Sequence, residues 1–436
     1  MCGEYIRNLP MWSNGVKIWL IQPSEQLPID AGIRKLRTRL LAETLASRGH
    51  EVTWWASCFN HLRKQWYFPR DTTLKPIPGV TIHALHGIGY RRNVSLARII
   101  DHRLLTRKFT KRARREPIPD FILTSLPPYD LAAAAVVYAN KHKVPIAVDI
   151  RDKWPDNFVD VLPKPLKPFG RVLLNREFAL RTKALVGAQA ILSMTTPLLE
   201  WGLGCAERKG SADDRVFYLG SYREPSTDIS LELNQLINDR LRNKFVVTFV
   251  GTFSTYHNPE IVLEVARRLR DQTNIVFVLV GEGDLASTLR ARAIDLSNVI
   301  FTGWLNSAEM TTVLKHSHLG LCTSGKTSER NFLPNKVFSY LSEGVPIASI
   351  FDGELRELIE RYKFGFNFSD AEDLFKGICE AHARPDIQVQ MSRNASSFYE
   401  SHCVSDMIYS NFADHIERLS CGGISGISTI LENHKA

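Results

Sequence analysis

The sequence predicts an α/β protein with parallel sheets, because apolar strand patterns alternate with amphipathic helix patterns along most of the chain. One series begins with a strand at 16–21, and a second begins with a strand at 245–250. Between them lie a polar segment at 221–228 and a linking helix at 230–242. Since 436 residues are long for one core, we expect about two or three domains, with two similar α/β halves.

The first half follows a strand–helix–strand order. After the strand at 16–21, a helix is predicted at 34–48, because leucines recur on one of its faces. This helix ends at Gly49, since glycine readily adopts the left-handed conformation that follows a helix. The remaining elements predicted in this half are a helix at 131–142 and strands at 51–56, 121–124, 146–150 and 188–193.

The second half repeats this order. It continues from the strand at 245–250 with strands at 275–280, 299–302, 319–323 and 346–350. We therefore divide the chain into a first domain at 1–220, a second domain at 243–395, a C-terminal helix at 396–420 and a tail at 421–436. The tail is rich in glycine and serine, so we expect it to be disordered.

Cysteine and histidine usage limits the classes of protein. The seven cysteines are scattered, none forms a CxxC pair, and their number is odd. This pattern favours a reducing compartment without a disulfide framework or a zinc site. Histidines do not cluster at the spacing of metal ligands, and neither a secretory signal nor a run of about 18 apolar residues is visible. We therefore expect a cytoplasmic protein with no metal and no cofactor.

The net charge of +9 is concentrated between Arg91 and Glu116, where ten Lys and Arg residues accompany only two acidic residues. Apolar residues recur among these bases at roughly helical spacing, namely Val94, Ile100, Leu104, Leu105 and Phe109. One interpretation is a basic amphipathic helix that lies on anionic lipid at the inner face of the cell membrane. The alternative is a surface helix whose apolar stripe faces its own core. We expect no nucleic acid, because no known reader motif accompanies the bases.

Glycine-containing loops follow four strands of the second half and end in a lysine at the start of a helix. The loops are Gly251-Thr252-Phe253, Gly281-Glu282-Gly283-Asp284, Gly303-Trp304-Leu305 and Thr323-Ser324-Gly325-Lys326, and the helix begins at Pro334-Asn335-Lys336. Ligands of open parallel sheets bind at the carboxyl ends of strands, and glycine lets backbone N–H groups approach phosphate oxygens. Each loop taken alone is also explained as a tight turn. Together with Lys336, they predict a site for a nucleotide diphosphate.

Candidate residues of the first half lie near strand ends. Arg34 and Arg37 are three positions apart and could face one way, although surface arginines are an equal alternative. Arg151 and Asp152 follow a strand, with a structural salt bridge as the alternative. His61 and Lys64 follow the second strand and would meet an anionic or sugar ligand, or else have no role in binding. The motifs GxGxxG, GxxxxGK[ST] and GxSxG are absent.

Residues 16 to 418 resemble bacterial glycosyltransferases of the GT-B fold, in the large retaining family that uses nucleotide-sugar donors. The motifs that carry the resemblance are Arg48–Trp55, Asp149–Asp156, Trp201–Leu203, Leu333–Ile347 and Gly353–Ile359. The Trp54-Trp55 strand, followed by Phe59-Asn60-His61 and Lys64, is most similar to one subgroup. Members of that subgroup add N-acetylated amino sugars, such as N-acetyl-fucosamine, during surface-polysaccharide assembly.

The resemblance implies two Rossmann-like domains with a cleft between them. The C-terminal domain would bind the donor, a UDP-sugar being favoured, and the N-terminal domain would bind a saccharide or a polyprenyl-linked acceptor. The last helix would cross back to the first domain, and catalysis would need no metal. Lys336 would contact the diphosphate, and Arg151 and Asp152 would complete the catalytic group. The other implied donor-binding residues are Gly251, Thr252, Phe253, Gly281, Gly283, Trp304, Leu305, Asn335 and Ser339, and the implied acceptor-binding residues are Arg34, Arg37, His61 and Lys64.

This chain departs from the family pattern at several positions. Many relatives carry two glutamates across the start of the Lys336 helix, where this chain has Asn331 and Ser339. A lysine common after the first strand of the donor domain is His257 here, and a histidine common at the end of a first-domain strand is Arg151. Two alternatives therefore stay open. One is a catalytically lapsed homologue that binds a nucleotide or a partner, and the other is an isomerase of nucleotide sugars.

Overall fold

A computed structural model describes residues 15–29, 35–92, 95–160, 162–222, 229–325 and 333–432, with side chains described as far as Cys421. The chain divides into two compact units. The first unit contains Met1–Met194, Leu198–Val216 and Tyr409–Ala436. The second unit contains Thr195–Pro197 and Phe217–Ile408.

The first unit is built on an eight-stranded sheet with the order β10-β9-β8-β7-β1-β2-β6-β5. Neighbouring strands are parallel except β5, which runs antiparallel to β6, and β3 and β4 form a separate antiparallel pair. The strands are β1 (Lys17–Ile21), β2 (Glu51–Ser57), β3 (Phe59–Asn60), β4 (Gln65–Trp66), β5 (Thr72–Ile77), β6 (Val80–Leu85), β7 (Phe121–Leu126), β8 (Ile146–Ile150), β9 (Ala190–Ser193) and β10 (Arg215–Val216).

Among the described residues up to 216, seven helices accompany these strands. They are α1 (Arg37–Ser47), α2 (Leu96–Ala113), α3 (Tyr129–His142), α4 (Asp156–Asp160), α5 (Lys167–Leu173), α6 (Asn175–Val186) and α7 (Thr196–Cys205), with a 3₁₀ turn at Lys164–Leu166 before α5. The central strands β1, β7 and β8 are almost entirely buried, as expected for a parallel sheet covered on both faces.

The long basic helix α2 turns part of its apolar stripe inward. Leu105 and Phe109 are buried, and the Phe109 ring meets Trp55 of β2 edge-on with a centroid distance of 4.9 Å. Ile100 is exposed, and Val94 lies outside the described residues. Leu105 and Phe109 are therefore part of the core of the first unit, whereas Ile100 is not. This arrangement favours the surface-helix interpretation of the basic stretch over the interpretation in which the stripe lies on lipid.

The second unit is built on a six-stranded parallel sheet with the order β13-β12-β11-β14-β15-β16. Its elements are α8 (Leu231–Leu236), a π-helical turn (Ile237–Leu241), β11 (Phe245–Val250), α9 (Glu260–Arg268), β12 (Ile275–Val280), α10 (Ala286–Arg292), β13 (Val299–Gly303), α11 (Ser307–Lys315), β14 (Leu319–Cys322), α12 (Lys336–Ser342), β15 (Ile347–Ser349), α13 (Glu354–Tyr362), β16 (Gly365–Asn367), α14 (Ala371–Ala383) and α15 (Pro385–His402).

The order of strands in the second unit reverses between β11 and β14. Strands that follow β11 in the chain are added on one side, and those from β14 onward are added on the other. In open parallel sheets, the carboxyl ends of the two strands at such a reversal enclose the ligand crevice. In this unit those ends are Val250, which precedes Gly251, and Cys322, which precedes Thr323.

The last helix, α16 (Ser405–Glu432), is grouped with the first unit from Tyr409 onward. The Arg48 Nη1 atom at the end of α1 lies 2.6 Å from an Asp414 carboxylate oxygen and 3.0 Å from a Glu417 carboxylate oxygen. The His50 imidazole also contacts Glu417, at 2.9 Å. The helix extends through Glu432, into the segment from residue 421 for which the sequence predicts a disordered tail. The order of that segment stays a prediction.

Candidate functional site

Lys336 is the first residue of α12, and its ammonium group is buried next to the reversal in strand order. The side chain is only 8% exposed, and its Nζ atom lies 4.3 Å from the centroid of the Phe249 ring on β11. Within the part of the chain that the structure describes, Nζ has no hydrogen-bond partner. Burial lowers the pKa of Lys336 to about 8, so the group is still mostly protonated at neutral pH. A buried cation without a partner is costly, and an anion at this position would remove that cost.

Gly251 makes room for this ammonium group at the end of β11. Its φ of +149° is unfavourable for residues with a side chain, and a Cβ atom at this position would lie 3.1 Å from the Lys336 Nζ. The Gly251 N–H donates to the Val280 carbonyl at 3.0 Å. The glycine therefore admits the lysine side chain, while its own N–H is used within the sheet and not aimed at a ligand.

Tyr340 connects the helix that carries Lys336 to the sheet. Its hydroxyl accepts the Val250 N–H at 3.0 Å and lies 3.2 Å from the carbonyl oxygens of Thr248 and Leu321. Tyr340 thus bridges β11 and β14 at the reversal in strand order. Because Lys336 lies four residues earlier, it projects from the same face of α12. The sequence analysis did not single out Tyr340, although its spacing of four residues from Lys336 was the available signal.

His257 lies close enough to Lys336 for the two charges to interact. Burial and the neighbouring Lys336 charge lower the pKa of His257 to about 4, so the imidazole is neutral at pH 7. Its Nδ1 atom is buried and, within the described ranges, has no hydrogen-bond partner. The Thr323 hydroxyl donates to the His257 carbonyl and connects this loop to the end of β14. His257 therefore adds no cation at neutral pH.

The other glycine-loop residues are divided between core and surface. Phe253 is fully buried, so its side chain belongs to the core, and its N–H donates to the Glu282 carbonyl while its carbonyl accepts the Leu285 N–H. Gly281 donates its N–H to the Gly303 carbonyl at 2.9 Å. Gly283 has a φ of +157° and packs its Cα against the Phe253 backbone. Thr252 is exposed beside them.

The residues predicted near the base and the ribose lie at the same edge of the sheet. Trp304 follows β13 and is 70% exposed, whereas Leu305 is partly buried against the adjacent core cluster. Asn335 is exposed immediately before α12, and Ser339 is partly buried on that helix. Asn331 lies outside the described residues. An exposed indole at a strand end suits stacking against a nucleobase.

In the first unit, Arg37 is neither a surface arginine nor a free cation. It is 2% exposed, and its Nε and Nη2 atoms bond to the two oxygens of Asp149 at 2.9 and 2.8 Å. Burial opposes ionisation of Asp149, but the charges of Arg37 and Arg151 lower its pKa below the usual range. The guanidinium also lies 4.8 Å from the Phe412 ring centroid. The surface alternative is therefore wrong for Arg37, and Arg34 lies outside the described residues.

Arg151 joins the same buried network. Its Nε atom bonds to Asp149 at 3.0 Å, and Nη1 bonds to Glu25 at 3.1 Å. Its Nη2 atom donates to the Thr38 hydroxyl at 3.0 Å. All three guanidinium nitrogens are therefore occupied within the unit. This geometry favours the structural salt-bridge alternative, and the catalytic role of Arg151 stays a prediction without support from its contacts.

Asp152 has a different environment from its neighbour Arg151. One carboxylate oxygen accepts the Lys153 N–H at 2.8 Å and the Asn157 side-chain amide at 2.6 Å. Burial raises the pKa of Asp152 despite these hydrogen bonds and the nearby Arg98 charge. A partly buried acid beside a cation is a plausible proton-handling or ligand-binding group.

His61 and Lys64 belong to a cluster of cationic and aromatic groups around Arg98. The Arg98 guanidinium lies 4.0 Å from the Trp154 ring centroid and 5.2 Å from that of Tyr90. The His61 Nδ1 atom is 2.6 Å from the Tyr90 hydroxyl, and the Lys64 ammonium lies 4.8 Å from the Tyr90 ring. Burial, together with the Arg98 and Lys64 charges, lowers the pKa of His61 to about 4. The sequence analysis predicted His61 and Lys64 as acceptor-binding residues. It did not predict a binding role for Arg98, Tyr90 or Trp154.

Comparison with known proteins is consistent with this architecture. Residues 235–398 match the family model of glycosyl transferases group 1. This stretch resembles a glycosyltransferase domain. The match covers less than half of the 436 residues, and it includes both Gly251 and Lys336. Comparison with curated protein sequences gives no match.

Solved structures of similar fold cover nearly the whole chain. Sucrose-phosphate synthase from Thermosynechococcus elongatus is 14% identical, with a TM-score of 0.71, and the alignment covers 93% of this chain and all of that one. HepE from Anabaena in complex with UDP-glucose is 15% identical, with a TM-score of 0.63 and coverage of 92% and 100%. WaaG, a glycosyltransferase involved in lipopolysaccharide biosynthesis, is 13% identical, with a TM-score of 0.61 and coverage of 92% and 99%. These neighbours have the GT-B fold, and the predicted fold class is confirmed.

Proposed function

We propose that this chain is a glycosyltransferase that moves a sugar from a UDP-sugar to a saccharide or a polyprenyl-linked acceptor, with retention at the anomeric carbon. The donor nucleotide binds the second unit in this proposal, and the transferred sugar is an N-acetylated amino sugar. Support for nucleotide-sugar transfer comes from the group 1 glycosyltransferase match and from the neighbour solved with UDP-glucose. The choice of an N-acetylated amino sugar and the retention at the anomeric carbon rest on the resemblance of the sequence motifs.

The observation that carries the proposal is the buried ammonium group of Lys336. A protonated lysine that is 8% exposed and lacks a hydrogen-bond partner among the described residues suits an anionic ligand. It lies next to Gly251, at the reversal of strand order where open α/β sheets bind nucleotides. A diphosphate placed there would pair with the ammonium in a site of low dielectric, where the interaction is strong.

The same group would assist the chemical step. When the bond between the anomeric carbon and the diphosphate oxygen breaks, negative charge accumulates on the leaving UDP. An ammonium held in place by α12 stabilises this charge without reorganising during the reaction. Tyr340 contributes by fixing α12 to β11 and β14. Trp304 is the proposed contact for the base, and Ser339 is the proposed contact for the ribose.

The acceptor would bind the first unit. Lys64 and Arg98 provide cations beside Tyr90 and Trp154, which suits a phosphate-bearing acceptor more than a neutral sugar. Asp152 is the residue of the predicted catalytic group in this unit with an environment suited to handling a proton. Its side chain is partly buried, and its pKa is raised by that burial.

The decisive test compares Lys336→Ala with Lys315→Ala, which removes an exposed lysine at the end of α11 in the same unit. Calorimetric titration with UDP and turnover with a panel of UDP-sugars should both be impaired in Lys336→Ala. We expect turnover to fall on the order of a hundredfold, as for the loss of a charge that stabilises a leaving group. The Lys315→Ala variant should match the wild type. Equal UDP affinity in all three proteins would refute the proposed donor site.

A catalytically lapsed homologue is the second candidate, and two observations favour it. Ser339 stands at a position where many relatives carry an acid, and Arg151 has all of its nitrogens occupied by residues of its own unit. A lapsed protein would bind UDP through Lys336 but release no sugar. Titration with UDP followed by a donor-hydrolysis assay separates the two candidates, because binding without any sugar release supports the lapsed homologue.

A further inference from the structure

A small helix of the first unit presents apolar side chains to solvent. We call residues 164–173, which comprise the turn Lys164–Leu166 and the helix α5, the α5 face. Its large apolar side chains are exposed, with Leu166 at 49%, Phe169 at 68%, Val172 at 75% and Leu173 at 70%. Phe169, Val172 and Leu173 are spaced i, i+3 and i+4, so they share one side of α5. A contiguous patch of exposed apolar side chains is typical of a surface that binds another protein or a membrane.

The opposite side of α5 faces the protein. Gly170 is buried, and a Cβ atom at this position would lie 2.5 Å from a Leu162 methyl group and 3.8 Å from a Val159 methyl group. The helix is therefore held by its Gly170 side. The exposed apolar residues do not belong to the core that anchors α5, and burying them needs something outside this unit.

The charged residues within the α5 face itself are all basic. Lys164, Lys167 and Arg171 lie on the α5 face, and no acidic residue occurs between Asp160 and Glu177. Lys167 lies 3.3 Å from Asp160, an exposed pair that contributes little. Aromatic and aliphatic side chains surrounded by lysine and arginine are the pattern of segments that lie in the interface of an anionic membrane.

An apolar pocket adjoins the α5 face. It has a volume of about 290 Å³ and is lined mainly by Leu96, Ile99, Trp154, Phe158 and Leu174, with Ser95, Arg98 and His102 completing the wall. Leu174 directly follows α5, and Leu96 is itself exposed. The pocket thus extends the apolar surface inward toward the cluster that contains Arg98. Hydrocarbon suits such a lining, because it needs no hydrogen bonds.

We propose that the α5 face docks the first unit on an anionic lipid bilayer. Phe169, Val172 and Leu173 enter the boundary between headgroups and acyl chains, and the three bases contact the headgroup phosphates. Peripheral membrane contact was expected from the basic stretch 91–116, but Leu105 and Phe109 of its apolar stripe belong to the core. The docking rests on the proposed function in one respect, because it would bring the first unit to a lipid-linked acceptor. The docking itself can be measured without any substrate. Among the described residues, no helix combines the length and apolar character needed to cross a bilayer.

Co-sedimentation of the full chain with vesicles tests the apolar part of the proposal. Vesicles of phosphatidylcholine with phosphatidylglycerol should bind the wild type, and vesicles of phosphatidylcholine alone should bind it weakly. The triple variant Phe169→Ser/Val172→Ser/Leu173→Ser should lose about tenfold or more in affinity for the anionic vesicles. The matched control Leu231→Ser/Ile294→Ser/Val389→Ser removes three exposed apolar side chains from the second unit and should bind like the wild type.

Two charge variants distinguish α5 from α2. Lys164→Gln/Lys167→Gln/Arg171→Gln should lower affinity for the anionic vesicles on the order of a hundredfold, and raised salt should have a similar effect. Arg107→Gln/Lys111→Gln/Arg114→Gln removes two exposed bases from α2 and the exposed base that directly follows it, and should have a much smaller effect. An unchanged far-ultraviolet circular dichroism spectrum and melting temperature in each variant would show that the protein is folded, whether or not it binds UDP.

Three outcomes would overturn the proposal. The first is a wild type that binds neither kind of vesicle. The second is loss of vesicle binding in the α2 variant with normal binding in both α5 variants. The third is a wild type that self-associates through the α5 face, detected as a mass that falls to that of a monomer in the serine triple variant while vesicle binding is absent. None of these outcomes depends on sugar transfer, so the docking surface and the proposed transferase activity can fail separately.

Discussion

The Tyr340 hydroxyl accepts the Val250 N–H at 3.0 Å, and this contact connects the helix that begins with Lys336 to the strand that ends before Gly251. The same hydroxyl lies 3.2 Å from the carbonyl oxygens of Thr248 and Leu321. A single side chain thereby holds α12 against both strands at the reversal in strand order. The position of the Lys336 ammonium therefore depends on a residue that would not itself touch the donor.

Replacing Tyr340 should affect both stability and donor binding. Tyr340→Phe leaves the Val250 N–H without its buried acceptor, so the free energy of unfolding should fall by about 1–3 kcal/mol in urea titrations. Because α12 also loses its attachment to the sheet, affinity for UDP should fall as well. Tyr399→Phe is the matched control, since its buried hydroxyl donates to the Ser221 carbonyl at 3.0 Å away from Lys336. A loss of stability without a change in UDP affinity for Tyr340→Phe would remove its positioning role.

Gly251 should tolerate no side chain. The variant Gly251→Ala places a methyl group 3.1 Å from the Lys336 Nζ and imposes a φ of +149° on alanine. We expect destabilisation of about 1–3 kcal/mol, together with weaker UDP binding because the ammonium must move. Gly204→Ala is the control, because its Cβ meets nothing within 4 Å and lies in the helix α7. Thermal unfolding and calorimetric titration measure the two effects, and unchanged UDP affinity would contradict the proposed contact.

Donor binding should depend on pH through Lys336. Burial lowers its pKa from 10.5 to about 8, so the ammonium is protonated below about pH 8 and loses its charge as the pH rises further. Affinity for UDP should therefore be highest on the acidic side of pH 8 and fall above it. A bound diphosphate stabilises the charged form, so binding at pH 8 to 9 should take up a proton and show an enthalpy that depends on the buffer.

The variant Lys336→Met is the control for this pH dependence. It should bind UDP weakly at every pH and lose the proton uptake. It should also be more stable than the wild type near pH 7, because a depressed lysine pKa means that the buried charge destabilises the fold below that pKa. The stability difference should shrink as the pH rises from about 8 toward 10.5, where the wild type buries a neutral amine. A pH-independent affinity of the wild type would contradict the assignment of Lys336.

The ion pair between Arg37 and Asp149 should be structural. Arg37→Met leaves the Asp149 carboxylate with only Arg151 as a cationic partner, so the free energy of unfolding should fall by about 3–5 kcal/mol. Arg107→Met removes an exposed arginine of α2 and should have a small effect. Urea unfolding measures both variants. An Arg37→Met protein with normal stability and a raised KM for the acceptor alone would instead restore the predicted acceptor role of Arg37.

Local patterns were sufficient to predict the α/β class and most central strands. The strand predicted at 245–250 matches β11 (Phe245–Val250), and the strand at 275–280 matches β12 (Ile275–Val280), because buried parallel strands are short apolar runs bounded by glycine. The hairpin of β5 and β6 was missed. Its edge strand β5 is mostly polar and contains Pro76, and such a pattern is hard to distinguish from a loop.

The roles of charged residues were harder to predict. Arg37 and Asp149 are 112 positions apart, so no local pattern could pair them. Arg98 carries the same basic signal as its neighbours on α2, yet it is the base that stacks on Trp154. The α5 face was not predicted, because its apolar residues have the pattern of an ordinary core helix. The structure shows instead that the opposite side of the helix, at Gly170, packs against Leu162 and Val159.

The sequence by itself determined the alternation of strands and helices, the glycines at strand ends and the lysine at the start of α12, because each of these follows from residue types at short spacing. Only the tertiary structure decided that the Lys336 ammonium is buried beside Gly251 while Arg37 and Arg151 are neutralised by acids. Ion pairing and burial depend on which distant segments meet in the fold, and a charge becomes available for a ligand only where no opposite charge of the protein reaches it.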